Sequence, residues 1–275
     1  DIVRVEVEPE KFGRIAAQTA RQVIIQRLKD AERQIIYEEF SDKIGDLING
    51  VVFKSEDDQV LVRLNDRTEA ILPREERIVG ESYALGSRMK FYLVEVRQTT
   101  RGPKIIVSRS HPGLLRKLLE LEIPEVREGT IEIREIVRES GVRAKVAVST
   151  LDPNVDPVGA CIGNAGARIK SISNELGGER IDVVVWSSDP LVFIRNALSP
   201  ARVLKVEPVL EQERAVQVFV RPDHLSLAIG KAGQNVRLAA RLTKWKIDIK
   251  VLEPEKLPTL QDLFDELINP EEVGS

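Results

Sequence analysis

The sequence predicts a multidomain α+β chain, and three observations carry that expectation. Apolar residues recur with a 3.6-residue period from residue 12 to about 40, the period drops to two between residues 48 and 109, and the remainder repeats one helix–strand pattern twice. A chain of 275 residues has room for several such units.

The first element is a long helix. Phe12, Ile15, Ala16, Ala20, Val23, Ile24, Leu28, Ala31 and Ile35 fall on one stripe with charged residues between them, so a partner surface is expected, within the chain or on another protein. Five strands follow, at Ile48 to Lys54, Gln59 to Leu64, Arg67 to Leu72, Arg88 to Arg97 and Lys104 to Arg109. They are separated by turn-forming stretches such as Glu56-Asp57-Asp58 and Arg101-Gly102-Pro103. Five short strands in this space suit an OB-type barrel, whose closure removes exposed edges.

The repeat is the most informative feature. Cys161-Ile162-Gly163-Asn164-Ala165-Gly166-Ala167-Arg168-Ile169-Lys170 matches Ala228-Ile229-Gly230-Lys231-Ala232-Gly233-Gln234-Asn235-Val236-Arg237, and Arg180-Ile181-Asp182-Val183 returns as Lys246-Ile247-Asp248-Ile249. The strand Val142 to Val148 returns as Arg214 to Val220. Asp156-Pro157 and Asp223-His224 stand at equivalent places, each an N-cap candidate for a short helix. Each copy reads helix, strand, strand, helix, Gly-x-x-Gly, helix, strand, with leading helices Gly113 to Leu121 and Leu191 to Leu198.

Composition narrows the function. Cys161 is the single cysteine, which excludes a disulfide framework, and His111 and His224 are the only histidines, which leaves little for a metal site. No apolar run approaches the ~20 residues of a membrane span, and Asp1 to Glu10 lacks a signal pattern, so a cytoplasmic protein without membrane, metal or cofactor is expected. The net charge of −3 conceals an asymmetry: residues 1–129 and 130–200 each carry −1, residues 201–252 carry +5, and residues 253–275 carry −6. A basic segment beside an acidic tail suggests a polyanion site that the tail could shield, although a solvated charged surface would read the same way.

A Gly-x-x-Gly pair alone means little, since chance gives about one in a chain of this glycine content. Two that share flanking patterns and lie between expected helices mean more. Glycine permits a tight turn and close approach of backbone N–H groups to a ligand, and the helix that follows presents its positive end. Phosphates fit such a place. An NTPase loop is excluded because Gly230-Lys231 is followed by Ala232 and preceded at the required spacing by Leu225. Asp223 beside His224 invites an acid–base reading, but no nucleophile accompanies them, so no catalytic residue is assigned.

With these motifs the chain resembles the S1-KH1-KH2 RNA-binding core of the NusA family of bacterial transcription elongation, termination and antitermination factors. The stretches that carry the resemblance are Asp156 to Gly163, Glu175 to Asp182 and Gly233 to Ala239, and it covers roughly residues 9 to 252. It implies a connector helix at 1–42 that ends an N-terminal polymerase-binding domain, an S1 barrel at 43–110, type II KH domains at 111–186 and 187–252, and the acidic tail at 253–275. Because the chain starts at Asp1 and the resemblance implies a larger N-terminal domain, a fragment is expected, with polymerase docking through that domain in doubt. Generic S1 domains present aromatic residues on a strand face, whereas Gln59 to Leu64 has none, and Phe53, Phe91 and Tyr92 all read as candidate core.

The implied function is a non-catalytic, monomeric transcription factor that holds single-stranded nascent RNA and works with RNA polymerase and other transcription factors. The RNA-binding residues assigned on this basis are Gly163, Asn164, Ala165, Gly166, Arg168 and Lys170 in the first copy, and Gly230, Lys231, Ala232, Gly233, Asn235 and Arg237 in the second. Arg168, Lys170, Lys231 and Arg237 supply phosphate charge or form an exposed helix face; Ile162, Ile169, Ile229 and Val236 form an apolar floor or the core beneath it. Few aromatics lie in the repeat, so bases would pack on aliphatic side chains, with Trp186 and Trp245 in core or module-interface packing. The rival function is an RNA-binding subunit of an RNA-processing enzyme. Such enzymes place KH before S1 and carry a catalytic region upstream, and this sequence has neither. A protein–protein scaffold whose loops have lost RNA is the third reading.

Overall fold

The computed structural model describes residues 9–210 and 214–252; the acidic tail and the first eight residues lie outside the described residues. The chain divides into two compact units, one formed by residues 1–122 and 171–179, the other by residues 123–170 and 180–275.

In the first unit, helix α1 (Pro9–Ser41) leads into strands β1 (Leu47–Ser55), β2 (Gln59–Arg63), β3 (Glu69–Pro73), β4 (Arg88–Thr99) and β5 (Gly102–Ser108). The strands close into a barrel in the order β1-β2-β3-β5-β4. Alternation buries one face of each strand: Val52, Val60, Val62, Ala70, Leu72, Phe91, Leu93, Ile105 and Val107 fill the barrel. The barrel is therefore the one its period-two pattern requires. Among the described residues of α1, those that join this core are in its last turns, Ile36, Tyr37 and Phe40.

The rest of the helix leaves the within-chain alternative unused among the described residues. Ile15, Val23, Ile24, Leu28 and Ile35, the stripe that calls for a partner, stay exposed among the described residues. Phe91 is core as expected, but Phe53 is half-buried beneath the Arg63 guanidinium at 4.9 Å, and Tyr92 stacks on His111 at 4.5 Å. Arg109 is buried and holds the carboxylates of Glu81 and Glu175 and the Lys90 carbonyl. Helix α2 (Pro112–Glu122) closes this stretch with Leu114, Leu115, Leu118 and Leu119 buried on one face.

The second unit starts with a short helix α3 (Pro124–Arg127), then β6 (Ile131–Glu139) and β7 (Arg143–Thr150). Helix α4 (Pro157–Ile162), helix α5 (Ala167–Glu175), of which residues 171–175 are counted with the first unit, and β8 (Arg180–Val185) complete the first copy of the repeat. The second copy runs α6 (Pro190–Ala197), β9 (Val203–Leu210), β10 (Ala215–Val220), α7 (Leu225–Ile229), α8 (Gln234–Thr243), β11 (Lys246–Val251). Each copy forms a three-stranded sheet with its middle strand paired antiparallel to the first strand and parallel to the last.

Cap chemistry sets several helix starts. Asp156 accepts from Val158 N, and Asp189 accepts from Leu191 N and Val192 N, each with proline opening the helix. Asp223 is not the cap expected of it. Pro222 starts a 3-10 turn one residue earlier, so Asp223 lies inside the turn, where it accepts from Arg221 Nε, and His224 Nδ1 accepts from Arg202 N.

One core joins the two copies. Val137, Ala147 and Val184 from the first cluster with Phe193, Ile194, Val216, Val218, Leu238, Ala239 and Leu242 from the second, and Trp186 and Trp245 pack at its margin as expected. A fully buried leucine contributes about 1.5 to 3 kcal/mol, so residues such as Leu238 and Leu242 weld the pair rather than decorate it.

Candidate nucleic-acid interface

The two loops have the same backbone. In the first, α4 ends at Gly163 (φ 74°, ψ 175°), Ala165 takes φ 50° and ψ 25°, Gly166 takes φ 77°, and α5 begins. In the second, α7 ends at Gly230 (φ 75°, ψ 170°), Ala232 takes φ 50° and ψ 32°, Gly233 takes φ 71°, and α8 begins. Gly230 is irreplaceable for two reasons: its φ lies in the left-handed region, and a Cβ there would stand 2.8 Å from the Asn235 backbone nitrogen. Non-glycine residues at positive φ cost energy, so Ala165 and Ala232 mark a geometry imposed by their surroundings in both copies.

The hydrogen bonds explain what this turn presents. Gly163 N donates to Gly159 O, and Gly166 N donates back to Gly163 O at 3.0 Å; Gly230 N and Gly233 N do the same toward Ser226 O and Gly230 O. Among the described residues, the N–H groups of Asn164, Ala165, Lys231 and Ala232 have no backbone acceptor. These four residues are exposed, beside the N-termini of α5 and α8. Two adjacent amides without a backbone acceptor at the positive end of a helix have the chemistry that suits an anion.

The neighbouring cations are less free than the sequence suggests. Arg168 donates to Ala160 O at 2.7 Å and to Glu125 at 2.9 Å. Lys170 donates to Ala165 O at 3.1 Å. Arg237 pairs through Nε and Nη2 with both oxygens of Glu139, and its Nη1 reaches Ala232 O at 3.3 Å. That pairing holds the Glu139 carboxyl below the usual carboxylate range, chiefly by the hydrogen bond from Arg237. Lys231 is the exception. It is exposed and has no ion-pair partner among the described residues.

Asn235, assigned to RNA from its place after the loop, is fully buried. Its amide donates to the carbonyls of Leu198, Leu227 and Ala228, so the structure gives it the task of tying α8 to α7 and to the end of α6. Ile162 and Ile229 are 37% and 38% exposed, so they lie at the surface beside each loop, while Ile169 and Val236 are half-buried and Val236 packs against the shared core. Sequence reasoning missed Glu125 and Glu139. They are 43 and 98 residues from their arginines, and only the folded chain brings them together.

Among the described residues no group of three or more His, Cys, Asp or Glu could hold a metal ion, and no helix is long and apolar enough to cross a membrane. Lys145, on β7 in the first copy, is buried against Asp182 and Ser199 O, and burial lowers its pKa to about 8.

Comparison with known proteins bears on both loops. Family models for a NusA-like first KH domain, a NusA-like second KH domain and a NusA N-terminal domain match residues 109–186, 190–256 and 1–34. Transcription termination/antitermination protein NusA of Halalkalibacterium halodurans is 51% identical over 263 residues, covering 95% of this chain and 68% of that protein. The protein of the same name from Bacillus subtilis is 53% identical over 250 residues, covering 91% and 67%, and that from Thermus thermophilus is 48% identical over 254 residues, covering 92% and 65%.

Proposed function

The chain belongs to the NusA family of transcription termination/antitermination proteins, RNA-binding transcription factors, and on that premise we propose that it acts without catalysis and grips single-stranded nascent RNA on both Gly-x-x-Gly loops at once. The observation that carries this reading is the duplicated backbone: each loop has two adjacent exposed residues whose N–H groups lack a backbone acceptor among the described residues, at a helix N-terminus, and one shared core joins the two copies. A phosphate at each loop would be held by backbone donors, and Lys231 would add charge at the second. Bases would lie on aliphatic residues such as Ile162 and Ile229.

This reading takes the barrel as an S1 domain and residues 111–186 and 187–252 as the two KH domains. Bound RNA would be nascent transcript in a cytoplasmic transcription complex with RNA polymerase, joined by a monomer of this chain. The test is binding to a single-stranded RNA by the full chain and by two double variants, Asn164→Asp with Ala165→Asp and Lys231→Asp with Ala232→Asp. Both should stay folded and bind more weakly; unchanged affinity in folded variants would overturn the assignment of the loops.

A further inference from the structure

One turn into each helix that follows a loop, the repeat places a cation at the same position, Lys170 in α5 and Arg237 in α8. Both turn back to the same acceptor, the carbonyl of the alanine with positive φ, at 3.1 Å in the first copy and 3.3 Å in the second. A peptide group is planar, so holding the Ala232 carbonyl also orients the Gly233 N–H, which closes the turn onto Gly230 O at 3.1 Å. That closure uses the Gly233 amide and leaves those of Lys231 and Ala232 without a backbone acceptor among the described residues. The cation thus braces the strained residue of the loop.

The second copy adds a support that the first lacks. Arg237 Nε and Nη2 meet Glu139 Oε1 and Oε2 at 2.8 and 3.0 Å, a two-point pair that fixes the guanidinium plane. Glu139 is the last residue of β6, in the other copy of the repeat, and Lys244, the residue that follows α8, reaches Glu135 on the same strand at 3.4 Å. Three of the five guanidinium N–H donors of Arg237 are then committed, two to Glu139 and one to the loop, so that its charge is already paired and its plane is fixed before any phosphate arrives.

We propose that Arg237 is a positioning residue of the second RNA loop, not a phosphate contact, and that Glu139 of the first copy sets it, so that one module shapes the binding loop of the other. This rests on the RNA reading above. Lys231, exposed and without an ion-pair partner among the described residues, is then the cation that meets phosphate.

Salt dependence separates the two roles, because each lost phosphate contact on a single strand flattens the log–log slope of affinity against salt by about 0.7. The full chain and its Arg237→Met, Arg237→Lys, Glu139→Gln and Lys231→Ala variants are titrated with one single-stranded RNA at several salt concentrations. Arg237→Met should weaken binding by about 3- to 10-fold with an unchanged slope, roughly what loss of one supporting hydrogen bond yields. Arg237→Lys should recover most of that, since lysine makes the same bond at position 170. Glu139→Gln should weaken binding about 2- to 3-fold and add nothing in the Arg237→Met background. Lys231→Ala should flatten the slope by about 0.7. A slope flattened by that amount in Arg237→Met, or tighter binding by Glu139→Gln, would overturn the proposal alone. If Arg237→Met folds poorly, the sign of the Glu139→Gln effect decides. Absence of binding by the folded wild-type chain would overturn the RNA reading and the proposal with it.

Discussion

The loops at 163–166 and 230–233 share a backbone but not the side chains that support it. At one equivalent position the first copy has Arg168 and the second Asn235, and both donate to the corresponding carbonyl, Ala160 O and Leu227 O. Arg168 does so from a site about one-third exposed and ties in Glu125; Asn235 does so from full burial and ties in two further carbonyls. The fold requires a donor there and is indifferent to its chemistry. What differs is charge on the outward face, where Asn164 stands in the first loop and Lys231 in the second.

That contrast can be sharpened by experiment. The largest effect is expected for Lys231→Asp with Ala232→Asp, on the order of 100-fold weaker RNA binding, against about 10-fold for Asn164→Asp with Ala165→Asp. The Lys231 and Ala232 changes remove a cation as well as adding two anions. Equal losses at the two loops would break the asymmetry. Asn235→Leu should cost about 2 kcal/mol of stability, because three carbonyls lose a buried donor, whereas Arg168→Leu should cost roughly 1 kcal/mol or less. Denaturant midpoints check both, and a reversed order would show that burial is not what distinguishes them.

A smaller effect tests a second difference between the copies. In the same strand register the first copy pairs Lys145 with Asp182 and the second pairs Gln217 with Asp248. Burial brings Lys145 to about 8 from its ordinary 10.5. Between these values the unfolded chain keeps a proton that the folded chain has released, so this residue's contribution to stability rises with pH across the window and is level outside it. Relative to Lys145→Met, wild type should gain on the order of 1 to 3 kcal/mol from pH 8 to 10.5. Comparison with that variant cancels Cys161, whose thiol burial pushes up to about 11 and whose contribution falls with pH from 9 to 11. A flat difference would place the Lys145 ammonium in water.

Periodicity made the barrel, the paired strands and both loops legible because each rests on local patterns: alternation for Val60 and Val62, a cap for Asp156, glycine for the left-handed turn at Gly230. The exposed stripe on α1 shows the limit, since an apolar face reports that something should cover it and not what does. Asn235 shows another. A polar residue after a binding loop reads equally as ligand contact or as a buried donor, and only its 0% exposure decides. The ion pairs of Arg168 and Arg237 depend on partners in distant segments, which no local pattern records.

The central claim is that one RNA strand engages both loops. Footprinting the full chain on a long single-stranded RNA tests it directly, with the two double-aspartate variants measured beside wild type. One contiguous protected stretch is expected, shortened from one end by the first variant and from the other end by the second. Two separated patches, or a footprint that both variants leave unchanged, would contradict it.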